Sequence, residues 1–99
     1  MENCCCGERT KKRSEEELRA LTNRLSRIEG QIRGLRGMLE KDAYCPDILA
    51  QAAAARAALD AFSRELLASH IQSCVVEDIR AGKEETVEEL LSTLQKLMR

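Results

Sequence analysis

The sequence predicts an all-α protein, and three observations carry that prediction. The 99-residue chain has one Pro, one Phe, one Tyr and no Trp, while Ala, Leu, Glu and Arg are abundant. Apolar residues recur at alternating steps of three and four, the period of an amphipathic helix. Breakers fall at only a few places: around Asp42–Pro46 and at Gly82.

The first helix is predicted over about residues 14–41. Ser14 followed by Glu15, Glu16 and Glu17 reads as an N-cap with a capping box and acids in the first turn. Leu18, Leu21, Leu25, Ile28, Ile32, Leu35 and Leu39 then form an unbroken heptad stripe. Gly30, Gly34 and Gly37 lie opposite it, within a narrow arc at about 100° per residue. Each glycine costs a helix about 1 kcal/mol relative to Ala. Two readings stay open for them: close approach of a flat partner (a DNA backbone or another helix), or local flexibility.

A second helix starts near Pro46, which suits a first helical turn. Its stripe runs Ile48, Ala52, Ala55, Leu59, Phe62, Leu66, His70 and Cys74, with no breaker before Gly82, so it can exceed 30 residues. "AAAARAA", residues 52–58, permits close helix packing. After the turn "AGKEE", a third helix near 84–98 carries Val87, Leu90, Leu91, Leu94, Leu97 and Met98 on one face. Short connections make successive helices antiparallel neighbours. Residues 1–13 show no periodicity and read as a disordered tail ahead of one domain, 14–99.

No apolar run approaches the ~20 residues of a membrane span, and no signal-type segment opens the chain. The expectation is a cytoplasmic protein whose five cysteines are thiols or metal ligands. Net charge is −1, but residues 9–41 carry +5 and residues 42–99 carry −4. A basic first third and an acidic remainder fit a polyanion on one side, or an ordinary mixed-charge surface. No Gly-rich phosphate loop, acid–base pair or nucleophile–base arrangement marks an enzyme.

His70, the only histidine, and Cys74 lie one helical turn apart on the apolar stripe. Cys45 falls on the same face at the other end of the second helix, about 37 Å away at ~1.5 Å per residue. One straight helix cannot gather the three. An antiparallel two-fold pair can: with the axis near Ala58 and Leu59, Cys45 of one chain meets His70 and Cys74 of the other, twice. Two thiolates and an imidazole make a soft three-coordinate set that suits Cu(I), whereas structural zinc sites usually hold four ligands. The alternative is three ordinary core residues.

"NRLSRIEGQIRGLRGMLEKDAYC" followed by "LLASHIQSCV" resembles the CsoR/RcnR family of bacterial repressors, over about residues 14–98. The resemblance implies a three-helix subunit and an antiparallel four-helix-bundle dimer, assembled as a dimer-of-dimers tetramer. It implies a repressor of operator double-stranded DNA that an inducer releases. Cys45, His70 and Cys74 match the Cu(I)-sensing branch, in which release derepresses copper-resistance genes. Nickel and cobalt sensors carry His at the position of Cys74, persulfide sensors lack His70, and formaldehyde sensors lack the second Cys. A persulfide- or thiol-reactive sensor, a sensor of another metal in the same family, and a cytoplasmic copper buffer are the competing readings.

The copper branch surrounds its His with a Tyr and a third-helix Glu. Tyr44 matches the first; direct count places the second at Leu90, so Glu89 is the candidate. For DNA, the resemblance points to Arg24. The basic third adds Arg27, Arg33, Lys11 and Lys12. The family's basic residue in the second helix is Ala61 here, with Arg56 and Arg64 nearby. Cys4, Cys5 and Cys6 lie outside the resemblance and are possible auxiliary thiols.

Overall fold

The computed structural model describes residues 13–98. All regular structure among them is helical: α1 (Glu15–Glu40), α2 (Cys45–His70), a π-helical turn (Ile71–Val75), α3 (Val76–Arg80) and α4 (Glu85–Leu97). The expected tail, with Cys4, Cys5, Cys6, Lys11 and Lys12, lies outside the described residues, as does Arg99. The chain divides into two compact units, one of α1 with α2 up to Glu65, the other from Leu66 onward.

In the first unit, α1 begins directly after Ser14, the residue expected to cap it. It ends in a Schellman motif. Asp42 adopts the left-handed conformation (φ 57°), its N–H donates to the Leu39 carbonyl at 3.1 Å, and the Ala43 N–H reaches the Met38 carbonyl at 2.9 Å. Asp tolerates this backbone region better than most side chains. The Tyr44 carbonyl accepts from the Asp47 and Ile48 N–H groups and starts α2, with Pro46 in its first turn.

The heptad stripe of α1 divides in two. Leu21 and Ile28 are buried and Leu35 is half-buried. Leu18, Leu25, Ile32 and Leu39, seven residues apart, are 56, 40, 49 and 64% exposed. Of the α2 stripe, Ala55 is buried, while Leu59 is exposed. Every described helix fails the length and apolarity needed to cross a membrane.

In the second unit, the expected second helix is a composite. It runs helically to Arg80, but with a π-turn between α2 and α3. The Ser73 hydroxyl donates to the Ser69 carbonyl at 2.8 Å. That bond competes for the carbonyl the Ser73 N–H would use in an α-helix, which favours the wider i→i−5 pattern. α3 then ends in a second Schellman motif. Gly82 is left-handed (φ 83°), its N–H reaching Ile79 and the Lys83 N–H reaching Asp78. α4 packs against α3 and the π-turn, and the buried side chains are Cys74, Val75, Asp78 and Thr86.

Candidate metal centre

The three expected ligands sit on α2 and its continuation. Cys45 is the first residue of α2 and exposed. His70 is its last residue and half-buried. Cys74 lies inside the π-turn and is 3% exposed. His70 N-caps that turn with α-helical dihedrals (φ −62°, ψ −44°), and Val76 closes it with nearly the same (φ −62°, ψ −43°). The turn is therefore one widened loop set into otherwise regular helix.

This matters for side-chain direction. In an α-helix a four-residue step overshoots one turn by about 40°. In the wider π-turn the same step falls short of a full turn. His70 and Cys74 keep a shared side, but everything beyond Val75 is rotated relative to an uninterrupted helix. π-bulges concentrate at functional sites. The Ser73 hydroxyl oxygen lies 3.9 Å from the Cys74 sulfur, with its one proton already on the Ser69 carbonyl.

Among the described residues, no three His, Cys, Asp or Glu side chains of one chain gather as a metal-holding group. In the second unit His70 and Cys74 are two soft-metal donors four residues apart, at the start of and inside the π-turn. The donor chemistry, one thiol and one imidazole on one side of a turn, fits a soft cation once another sulfur is supplied.

Of the residues expected around the histidine, Tyr44 is 73% exposed beside Cys45. Glu89 is exposed on α4, the helix that packs against the π-turn. Sequence reasoning missed Asp78 and Thr86. Both are 5% exposed, and the Thr86 hydroxyl donates to Asp78 Oδ2 at 2.7 Å. Their signal in the sequence was an acid and a hydroxyl eight residues apart, straddling Gly82.

The described basic candidates lie in the first unit. Arg27, Arg33, Arg56 and Arg64 are exposed and Arg24 is half-buried. At about 100° per residue, Arg27 and Arg33 flank the glycine arc on its two sides. A methyl group at Gly34 or Gly37 would meet nothing within 4 Å, and at Gly30 only the Arg33 guanidinium at 3.9 Å. Among the described residues, no packing requires these glycines.

A family model described as metal-sensitive transcriptional repressor matches residues 17–96. The copper-sensing transcriptional repressor CsoR of Bacillus subtilis is 44% identical over 85 residues, 85% of this chain and 84% of that protein. The crystal structure of the copper-sensing repressor CsoR with Cu(I) from Geobacillus thermodenitrificans superposes with a TM-score of 0.85 at 38% identity, covering 91% of this chain and 95% of that one. The nickel-responsive transcriptional regulator InrS matches with a TM-score of 0.73 at 41% identity, over 86% of this chain and 97% of its own.

Proposed function

This chain belongs to the metal-sensitive transcriptional repressors, which are DNA-binding proteins and not enzymes, and we propose that its inducer is Cu(I). In this reading the metal-free protein holds operator DNA. Cu(I) bound between subunits, by Cys45 of one chain and His70 and Cys74 of the other, lowers that affinity and derepresses copper-resistance genes. The observation that carries the reading is the placement of the donors: His70 and Cys74 together at one end of α2, Cys45 alone and exposed at its start. A site of this kind is completed by a second copy, and two-fold symmetry completes it twice.

Cu(I) supplies soft, low-coordinate binding to two thiolates and an imidazole. The chain's own residues do the rest. The π-turn presents His70 and Cys74 on one side. In the shared site Tyr44, from the chain that gives Cys45, and Glu89 of α4 are the partners assigned to the imidazole, whose other ring nitrogen needs one. Arg24, Arg27 and Arg33 of α1, with Arg56 and Arg64 of α2 and Lys11 and Lys12 ahead of them, neutralise phosphates. Cys4, Cys5 and Cys6 offer auxiliary thiols for a further soft ligand. The exposed row Leu18, Leu25, Ile32 and Leu39 supports assembly into a homodimer or homotetramer, because so regular an apolar row gains by burial. A ligand shifts the DNA equilibrium only through its differential affinity for the two forms.

A second reading, nickel sensing, is favoured by the likeness to InrS. Against it stands the sulfur-rich donor set, since nickel takes more nitrogen or oxygen donors in tetragonal sites. The test is binding of the full chain to the DNA upstream of its own gene, with and without Cu(I), Ni(II) and polysulfide. Release by Cu(I) alone is expected. Release by Ni(II) alone or polysulfide alone would replace the inducer, and a metal-free protein that does not bind would remove the repressor reading for this DNA.

A further inference from the structure

Asp78 is a carboxylate that is 5% exposed. Burying such a group is costly unless hydrogen bonds replace its water. The Thr86 hydroxyl supplies one, at 2.7 Å. The carbonyl of the same Asp78 accepts the Lys83 N–H at 2.9 Å. One residue therefore holds Lys83, within the Ala81–Glu84 connection, through its main chain and Thr86, just beyond it, through its side chain. α4 needs this help. Its N-cap, Glu84, makes no side-chain cap bond, and a carboxylate near a helix N-terminus is favourable to the helix dipole. Thr86 is the second residue of α4, and Asp78 reaches it from α3.

The pair also lies in line with the sensing residues. His70, Cys74 and Asp78 follow one another at four-residue steps, and Thr86 stands three residues, about one turn, before Glu89. Between Cys74 and Asp78 the π-turn ends and α3 begins. A change in the register of that turn rotates Asp78, and the Thr86 bond obliges α4 to follow.

We propose that Asp78 and Thr86 are a positioning pair that carries the state of the His70–Cys74 turn to α4. This rests on the metal-responsive repressor reading above. Neither residue touches the inducer or DNA; they act through α4 and the Glu89 it bears. The coupling then depends on a hydroxyl that the binding of either ligand does not use.

The test is Thr86→Val, which keeps the shape and deletes the donor, with Thr86→Ser as the variant that restores it. Three quantities are measured on the full chain: Cu(I) affinity by chelator competition, DNA affinity of the metal-free protein, and DNA affinity with Cu(I) bound. For Thr86→Val the first two stay within about threefold of wild type, while the ratio of the last two falls at least tenfold; Thr86→Ser recovers most of it. Hydrogen exchange on the metal-free proteins gives a readout without copper: amides in the first two turns of α4 exchange faster in Thr86→Val, with those of α1 unchanged. A Thr86→Val protein that copper releases as well as wild type overturns this proposal alone. So does one whose loss is global, with Cu(I) and DNA affinities falling together and α1 amides deprotected, and so does a Thr86→Ser protein that folds as wild type and fails to couple. A wild type that copper does not release overturns the functional reading, and this proposal with it.

Discussion

Gly37 is a residue at which stability and function pull in opposite directions. It lies at the start of the last turn of α1, and a methyl group there would meet nothing within 4 Å. Gly37→Ala is therefore expected to stabilise the protein by about 1 kcal/mol, the helix-propensity difference. If the glycine arc between Arg27 and Arg33 is where the DNA backbone approaches, the same methyl lowers operator affinity several-fold. Thermal unfolding and operator titration of one variant check both signs. A stabilised protein with unchanged affinity moves the DNA face elsewhere. Arg27→Ala is the companion case: loss of one phosphate contact weakens binding to all sequences and lowers the salt slope by about one.

In the proposed function, the π-turn is the element on which the metal site depends. Ser73→Ala removes the hydroxyl that occupies the Ser69 carbonyl and installs a better helix former. The expectation is a turn that relaxes toward α-helix, a small gain in stability, and a Cu(I) affinity at least tenfold lower because Cys74 is re-aimed. Chelator competition reads the affinity and amide hydrogen exchange over Ile71–Val75 reads the turn. Equal affinity in the variant would show that ligand placement does not depend on the turn. This element also marks the limit of what was legible in the sequence. Ser14, Asp42, Pro46 and Gly82 announced the helix ends, because caps and breakers act locally. Periodicity placed His70 and Cys74 side by side for the same reason. Nothing in "SHIQSCV" breaks a helix, so the π-turn was invisible: the one local feature that favours it, the Ser73 hydroxyl on the Ser69 carbonyl, is a bond serine also makes in ordinary helices. The Asp78–Thr86 bond was equally hidden, since it joins two helices across a turn. The heptad row of α1 could be seen, but not its division, because Leu and Ile serve an inward and an outward position alike.

At the scale of the whole molecule, the described part of a single chain buries few side chains and leaves Leu18, Leu25, Ile32 and Leu39 uncovered. Assembly through that row is the expected remedy. Ile32→Glu places a charge where the row would be desolvated, a change that costs several kcal/mol if the site is buried in the oligomer. Sedimentation of the variant is expected to shift toward smaller species, with DNA binding lost in parallel. An unchanged oligomer would place the interface on another face. The central claim is that the metal site is shared between chains, and it can be tested by mixing. Chains carrying Cys45→Ala are refolded with chains carrying His70→Ala and Cys74→Ala, and tightly bound Cu(I) is measured by chelator competition. The account predicts negligible tight binding in either parent and one Cu(I) per mixed dimer. A mixture that binds no more copper than its parents would contradict it.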